Sequence, residues 1–199
     1  MDGIGGVNTF EQRYQEGVPP WEIGRPQSWV VELFHQDAFE GDILDVGCGT
    51  GENALFLATQ GLAVTGVDFS RTAIELAQEK AAQRHSSARF RVGNALKLPL
   101  LKRTFDTALD SALFHVFTDK ERTLYAESLA AALKPQGVAY VVCFSEREPD
   151  GWGPRRVTQG EIQKTFQKRF DVASIQRALY ETNLRPEPVQ AWLTCLQLK

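Results

Sequence analysis

The stretch Leu44–Ser70, LDVGCGTGENALFLATQGLAVTGVDFS, decides the fold that we predict for this chain. An apolar segment typical of a buried strand runs directly into Gly47, Gly49 and Gly51, and a helical segment follows. A second strand then ends at Asp68. Glycines in such a turn let the backbone approach a ligand closely, and an acid ending the next strand can accept both hydroxyls of a ribose. The stretch therefore predicts a strand–turn–helix–strand unit that binds a nucleoside-like ligand.

Strands and helices alternate along most of the chain. Apolar segments predict strands at 42–48, 63–69, 88–92, 105–110, 137–144, 170–180 and 191–198. Helices are predicted at 52–60, after the cap Ser70, and after each of the capping boxes Thr118/Glu121 and Thr158/Glu161. The helix that begins after Thr118 is expected to run to Pro135. This alternation implies an α/β fold with a mostly parallel seven-stranded sheet and helices on both faces. The last two strands lack a helix between them, which predicts a terminal antiparallel hairpin.

Composition narrows the class of protein. With 199 residues, of which 43% are hydrophobic and 24% charged, the chain is expected to form one domain, 1–199. A net charge of -3 gives no general attraction to nucleic acid or to an acidic membrane. The start MDGIGGVNTF lacks signal-peptide features, and no stretch approaches the roughly 18 apolar residues of a membrane span, so we expect a cytoplasmic protein. Cys48, Cys143 and Cys195 lack paired spacing, which favours reduced structural thiols and no metal.

The spacing of the glycines points to one family. It is G-x-G-x-G with Asp45 two residues before it, and it differs from the G-x-G-x-x-G that cradles a pyrophosphate. LDVGCGTG followed by VTGVDFS resembles the signature of class I S-adenosylmethionine-dependent methyltransferases, and the resemblance extends from Asp42 to Lys199. It implies a Rossmann-like fold, S-adenosylmethionine as cofactor and a small-molecule methyl acceptor.

The resemblance also implies roles for single residues. Asp45 would reach the ammonium of the cofactor's methionine part, Asp68 would hold the ribose hydroxyls, and Phe69 would lie against the adenine. The turn residues that would face the methionine part are Gly47, Cys48, Gly49 and Gly51.

Two later segments complete this implied cofactor site. In VGNALKLPL, Asn94 stands where the family commonly has Asp; its carbonyl would accept from the adenine amino group, and the backbone amide of Ala95 would donate to the ring. Asp110 and Ser111, at the end of the fourth strand, would close the pocket over the methionine part. An alternative interpretation is that Asp110 only caps a loop.

The amino-terminal segment GVPPWEIGRPQSWVVELF, Gly17–Phe34, resembles the lid of thiol, halide and thiopurine methyltransferases within this superfamily. Residues 1–40 would form this lid or helical segment and residues 41–199 the core. Trp21 would exclude water from the cofactor, and Glu22 stands where Asp is commoner. Alternatively, Trp21 only packs an amino-terminal arm onto the core. Trp29 is interpreted as a core residue on a helix.

Candidates for the acceptor side lie in the loops after the fourth and fifth strands. His115 is a candidate proton acceptor from a thiol or phenol, and Arg155 or Arg156 could hold an anionic acceptor or lower its pKa. The competing interpretations are a packed loop histidine and solvated surface arginines.

These observations leave four functions to compare. The preferred hypothesis is a monomeric methyltransferase acting on a soft or acidic nucleophile of the thiol, halide or thiopurine type. The alternatives are an O- or N-methyltransferase of a phenol, quinol or heteroaromatic compound, and a non-catalytic module that binds S-adenosylmethionine. A nicotinamide-dependent oxidoreductase is disfavoured by the glycine spacing.

Overall fold

A computed structural model describes residues 7–199 of the chain, with side chains from Thr9 onward. Its seven strands are β1 (Asp42–Val46), β2 (Ala63–Asp68), β3 (Arg89–Val92), β4 (Phe105–Ser111), β5 (Leu133–Phe144), β6 (Phe170–Tyr180) and β7 (Val189–Leu198). Its α-helices are α1 (Val7–Glu16), α2 (Ser28–His35), α3 (Glu52–Thr59), α4 (Arg71–Gln83), α5 (Asp119–Ala132) and α6 (Gln159–Phe166). Two 3₁₀ helices cover Ala95–Leu101 and Phe114–Val116.

The strands form one sheet in the order β3-β2-β1-β4-β5-β7-β6. Strands β1 to β5 pair in parallel, whereas β7 runs antiparallel to both β5 and β6. The predicted fold, including the terminal hairpin, is confirmed. The strand order reverses between β1 and β4, and open α/β sheets bind their ligands beyond the carboxyl ends of the strands at such a switch point.

Helix starts follow the predicted caps. The side chains of Thr118 and Thr158 each accept from the backbone N–H three residues later, and a glutamate completes both capping boxes. Ser70 Oγ accepts from Ala73 N at 2.9 Å. The predicted end of α5 was wrong, because the helix stops at Ala132 and Leu133 already pairs with Phe105 in the sheet. Leu133 is buried there, so pairing with β4 overrides its helical propensity.

The two faces of the sheet carry separate halves of the core. One face is covered by α5 and α6, with Tyr125, Phe166 and Phe114 fully buried. The other is covered by α2, α3 and α4, where Trp29 is 3% exposed, as predicted for a core residue on a helix. Within residues 7–199, no helix combines the length and apolarity that crossing a membrane requires. The helices packed on the two faces of the sheet fix the ends of β1, β2 and β4, and the candidate site is built on these strand ends.

Candidate active site

The glycine turn after β1 folds back onto β2. The backbone N–H groups of Gly47 and Cys48 donate to Val67 O at 2.7 and 3.1 Å. Gly51 begins the step into α3 with φ of +87°, and a side chain there would stand 2.6 Å from the Phe90 ring. Only glycine satisfies both the left-handed backbone and this contact. A side chain on Gly47 would likewise stand 3.0 Å from Leu113, and one on Gly49 would stand 2.7 Å from the Tyr14 hydroxyl, so neighbouring side chains pack closely against the turn.

Asp45, at the centre of the site, is buried with no protein partner. Its side chain is fully buried, and neither carboxylate oxygen accepts a hydrogen bond from any residue that the structure describes. Burial raises the pKa of Asp45 to about 8, and the nearby charges of Asp68 and Asp110 add to the rise, while the nearby backbone N–H of Ala54 offsets a part of it. A buried carboxylate without a donor is costly, so this position suits a ligand that brings a cation or a donor. Ser111 Oγ is also buried, and it lies close enough to the Tyr180 hydroxyl to offset part of the rise in the pKa of that phenol that burial causes.

Asp68 connects the glycine turn with the start of α4. Its two carboxylate oxygens accept from Gly49 N and Ser70 N, both at 2.9 Å. Burial raises its pKa, and these backbone hydrogen bonds partly offset the rise. Each oxygen keeps one acceptor position, because a carboxylate can accept about four hydrogen bonds. Asp68 can thus hold two further hydroxyl donors without losing its structural bonds.

The residues predicted to surround the adenine and the methionine part differ in whether they are exposed or already bonded to other parts of the protein. The Phe69 ring is 49% exposed, an unusual state for a large apolar side chain beside a buried turn. Asn94 Oδ1 accepts from Leu96 N at 2.8 Å and caps the 3₁₀ helix that begins at Ala95. Cys48 Sγ points toward Gly66 and donates to Gly49 O, while its backbone N–H donates to Val67 O and its carbonyl accepts from Gly51 N.

Asp110, at the end of β4, is buried and has three protein donors. Leu113 N and Phe114 N donate to Oδ1 at 2.7 and 3.2 Å, and Tyr125 OH donates to Oδ2 at 2.7 Å. Burial raises its pKa to about 7 against the effect of these three bonds. The loop-capping interpretation describes this geometry.

Trp21 of the lid segment and Tyr14 of α1 form an aromatic pair that lies against the glycine turn. Trp21 Nε1 donates to the Tyr14 hydroxyl at 2.7 Å, and Phe10 packs on the Trp21 ring with centroids 5.5 Å apart. The Tyr14 hydroxyl lies 2.7 Å from where a side chain on Gly49 would begin. Burial and the charge of Asp68 raise the pKa of Tyr14 well above its usual range, so the phenol stays protonated. Sequence analysis missed Tyr14, whose only signal was its position on an amphipathic helix before the lid motif.

A chain of charged groups fastens the lid to the turn. Glu22 accepts a hydrogen bond from the Thr50 hydroxyl and lies 3.5 Å from Lys80 Nζ. Lys80 in turn contacts Thr50 Oγ1 and Glu52 Oε1, both at 2.7 Å, and Arg84 forms two hydrogen bonds to Glu52. We call the residues Glu22, Thr50, Lys80, Glu52 and Arg84 the latch. Glu22 therefore binds the turn itself, which the sequence motif alone did not reveal.

The other side of the lid is held by the loop between β6 and β7. Asn183 donates to Pro19 O and Glu22 O, and its own N–H donates to Pro20 O. Gln27 exchanges two hydrogen bonds of 2.9 Å with the backbone of Glu181. The segment is consequently fixed at both ends, on the glycine turn and on the hairpin.

His115 lies inside the protein, in the 3₁₀ helix after β4. Its Nδ1 accepts from Phe144 N at 3.1 Å, and its ring meets the Phe144 ring edge-on at 4.6 Å. Burial, together with the positive charges of Arg122 and Arg156, lowers its pKa to about 3. The imidazole is therefore neutral at physiological pH, and one of its two nitrogens is occupied.

The two candidate arginines lie apart from the glycine turn and have protein partners. Arg155 contacts Asp119 at 2.6 Å and also Glu161, where it joins α5 to α6. Arg156 donates to the backbone carbonyls of Glu148, Pro149 and Pro154 and stands over the Trp152 ring at 5.3 Å. Both guanidinium groups hold loops together in this arrangement.

The fold and the site together define a class of protein. A sheet of this order with a terminal hairpin, and a glycine turn flanked by buried aspartates on β1 and β2, form a nucleoside-binding α/β unit. Residues 43–137 match the family of the methyltransferase domain.

Similarity to known proteins identifies the family of this chain. It is 35% identical to 2-heptyl-1-hydroxyquinolin-4(1H)-one methyltransferase of Mycobacteroides abscessus, over 83% of this chain and 74% of that protein. It is 27% identical to probable thiol methyltransferase 2 of Arabidopsis thaliana, over 79% and 70% of the two chains. A solved structure from work on the conversion of a disulfide bond into a thioacetal group during echinomycin biosynthesis has a TM-score of 0.90 and 32% identity, over 97% and 93%. The chain belongs to the class I S-adenosylmethionine-dependent methyltransferases, and S-adenosylmethionine is its cofactor.

Proposed function

We propose that this methyltransferase acts on a small soft nucleophile that reaches the site already ionised, with an aromatic thiolate as the representative acceptor. The observation that carries the proposal is the state of His115, which is buried, neutral and bonded to Phe144 N. A histidine whose pKa lies near 3 is a weak proton acceptor at neutral pH. The proposal therefore assigns His115 a packing role and requires an acceptor that loses its proton in water.

The residues of the turn fit the cofactor. Asp45 has two unpaired buried oxygens for an ammonium, and Asp68 retains acceptor positions for two ribose hydroxyls. Phe69 offers an exposed ring to the adenine, with Asn94 and Ala95 beside it. When bound, S-adenosylmethionine supplies an electrophilic methyl group on a positively charged sulfur.

The lid and the end of β4 complete our assignment of the cofactor site. The Tyr14 hydroxyl, already an acceptor for Trp21 Nε1, keeps its own proton for donation beside Gly49. Ser111 provides a buried hydroxyl on the opposite strand. We assign Trp21 to excluding water, because an ionised nucleophile reacts faster once its hydration shell is removed. Asp110, Arg155 and Arg156 support the loops around the site through their protein partners.

Positioning and a dry site account for catalysis in this proposal. Holding a nucleophile in line with the methyl group can lower the barrier by roughly 7 to 11 kcal/mol. No general base is then needed for a thiolate or a halide. This agrees with the similarity to a probable thiol methyltransferase, which supports the acceptor class.

A second acceptor class is an acidic hydroxyl on a heteroaromatic ring. It is favoured by the similarity to a protein named for methylating a 1-hydroxyquinolinone. Such a hydroxyl also ionises without a strong base, so the two classes make the same demand on the site.

The test is production of S-adenosylhomocysteine with iodide, thiophenol and phenol between pH 6 and 9. With S-adenosylmethionine saturating at every pH, we expect turnover of iodide with little pH dependence, and turnover of thiophenol that follows ionisation of the thiol itself. Turnover of phenol alone, rising with pH, would overturn the soft-nucleophile proposal and restore the need for a base.

A further inference from the structure

Helix α4 fastens the amino-terminal part of the chain at two points. Near the start of α4, the Thr72 hydroxyl donates to a carboxylate oxygen of Glu11 in α1 at 2.7 Å. Near its end, Lys80 reaches the lid, with Nζ 3.5 Å from Oε1 of Glu22. The aromatic pair at the glycine turn lies between these two points in the chain. The positions of α1 and of the lid over the turn therefore both depend on α4.

Lys80 lies between the two carboxylates of the latch. Its Nζ donates to Glu52 and to the Thr50 hydroxyl oxygen, both at 2.7 Å, and Thr50 in turn donates to Glu22. The Glu22 side chain is 14% exposed and that of Glu52 is 9% exposed, so both carboxylates are largely withdrawn from water. Glu52 is also bonded to Arg84, whereas in the part of the chain that the structure describes only Lys80 forms an ion pair with Glu22.

The closed position of the lid requires this positive charge. A carboxylate withdrawn from water costs free energy unless a cation or donors compensate it, and removing one partner of a buried ion pair is strongly destabilising. Without Lys80, the Glu22 carboxylate would keep the Thr50 hydroxyl and the N–H of Gly24 as donors. It could recover its hydration only by moving into water. Because Glu22 belongs to the lid, the lid would move with it.

The glycine turn beneath the lid and α1 is closed to solvent in this structure. Asp45 and Gly49 are buried, and the Tyr14 hydroxyl lies 2.7 Å from where a side chain on Gly49 would begin. A ligand bonded to these residues can enter or leave only when part of this cover moves. Leu113 also packs on the turn, but it follows β4 directly and its N–H is bonded to Asp110. The lid lies outside the sheet, which makes it the part that opens more easily.

We propose that Lys80 is a positioning residue of the cofactor site, which holds Glu22, and through it the lid, in the closed position. It thereby sets the rate at which S-adenosylmethionine and S-adenosylhomocysteine enter and leave. The inference rests on the proposed position of the cofactor at the glycine turn and is independent of the acceptor class.

The experiment compares Lys80→Met with the matched control Lys134→Met. Lys134 also lies between two carboxylates, 2.7 Å from Asp106 and 3.8 Å from Asp42, but at the amino ends of β4 and β1. Hydrogen exchange of residues 17–28 without cofactor measures opening of the lid, and stopped-flow displacement measures dissociation of S-adenosylhomocysteine. Both rates should rise about tenfold in Lys80→Met, because charge-assisted hydrogen bonds are lost. Both should stay at wild type in Lys134→Met and return most of the way in Lys80→Arg.

A double-mutant cycle tests whether Lys80 acts through Glu22. Glu22→Gln removes the charge that Lys80 compensates, so adding Lys80→Met to it should change both rates less than about twofold. Equal effects of Lys80→Met in the two backgrounds, or unchanged hydrogen exchange in Lys80→Met, would overturn the role of Lys80. Faster hydrogen exchange with a wild-type dissociation rate would equally overturn it, because the lid would then not control the cofactor. Failure of the soft-nucleophile proposal would leave both rates unaffected, since neither measurement contains a methyl acceptor.

Discussion

Asp45 and Asp110 stand at the ends of the neighbouring strands β1 and β4, and both are buried. Burial raises the pKa of Asp45 to about 8 and that of Asp110 to about 7. They differ in their partners: Asp110 accepts from three protein donors, and Asp45 accepts from none among the described residues. The two raised pKa values thus do not distinguish these carboxylates, whereas the number of their oxygens that have protein donors does.

The largest effect is expected for Asp45→Asn. The variant loses the charge that the cofactor's ammonium would meet, and a buried charge-assisted bond of this kind should cost about 3 kcal/mol, roughly a hundredfold in affinity. Calorimetry with S-adenosylhomocysteine measures it. Wild-type affinity in the variant would return Asp45 to a purely structural role.

The same variant should make the unliganded protein more stable. Asp45 has a folded pKa above its unfolded value near 4, so folding holds its proton more tightly and its ionisation opposes folding. This destabilisation is absent below about pH 4, grows as the pH rises, and is complete above about pH 8. Melting temperatures should therefore favour Asp45→Asn increasingly between pH 5 and 8. A variant that melts below wild type at pH 8 would contradict this sign.

Cofactor affinity should depend on pH for the same reason. Below pH 8 the Asp45 carboxyl is mostly protonated, and binding an ammonium requires it to release that proton. The wild-type dissociation constant for S-adenosylhomocysteine should fall by about tenfold or more from pH 6 to pH 8. Asp68 and Asp110 face the same site and persist in Asp45→Asn, so a slope that survives in that variant would assign the effect to them.

The second largest effect is expected for Asp110→Ala. This variant should be less stable than wild type, whereas Asp45→Asn should be more stable. Removing Asp110 leaves Leu113 N, Phe114 N and the Tyr125 hydroxyl without their acceptor. Unsatisfied buried donors cost about 1 to 3 kcal/mol each, so we expect a loss of at least about 2 kcal/mol and a lower melting temperature at pH 6. Tyr125→Phe, which removes one donor, is the matched control and should lose less. A melting temperature equal to wild type would remove the contrast between the two aspartates.

Tyr14→Phe should have a smaller effect, confined to the cofactor. The variant keeps the aromatic ring against the lid and removes only the hydroxyl beside Gly49. Loss of one hydrogen bond predicts a fivefold to tenfold weaker affinity for S-adenosylhomocysteine, about 1 kcal/mol. Trp21→Phe, which removes the donor to that hydroxyl, should show part of the loss. If Tyr14→Phe binds as wild type, the hydroxyl serves the lid alone.

His115→Asn should produce the smallest change. An asparagine carbonyl can replace Nδ1 as acceptor for Phe144 N, and the native imidazole has a pKa far below the assay range. The rate with thiophenol should fall less than about threefold, and its pH profile between 6 and 8 should keep its shape. A profile that loses an ionisation in the variant would establish His115 as a base.

Local sequence signals were sufficient for the fold and for the turn. The run into Gly47, Gly49 and Gly51, the capping boxes and the apolar alternation each act over a few neighbouring residues, and the strands and helices that they predicted formed close to where they indicated, apart from the boundary between α5 and β5. The end of α5 was misplaced because it depends on the pairing of Leu133 with Phe105, a contact between distant segments that local signals do not show.

The parts of the site that sequence did not reveal all depend on contacts between distant segments. Tyr14 meets the turn only because α1 packs near α4, and the latch joins residues from the lid, α3 and α4. Tyr125 in α5 donates to Asp110 and Phe144 in β5 donates to His115, and these two contacts had no local signature, whereas the other two donors to Asp110 are the nearby Leu113 N and Phe114 N. Residue type singled out Asp110 and His115 as candidates, but their protein partners became visible only with the tertiary contacts.

The contacts between the lid and the β6–β7 loop also order events during synthesis. Gln27 and Pro19 are bonded to Glu181 and Asn183, which lie more than 150 residues later in the chain. The ribosome synthesises residues 17–28 long before it synthesises Glu181 and Asn183, to which they are hydrogen-bonded in the folded protein. The contacts of the lid with Glu181 and Asn183 cannot form until the β6–β7 hairpin has been translated. A nascent chain can therefore build most of the sheet while the lid still lacks its contacts with the β6–β7 loop, so residues 17–28 are among the last to complete their final contacts.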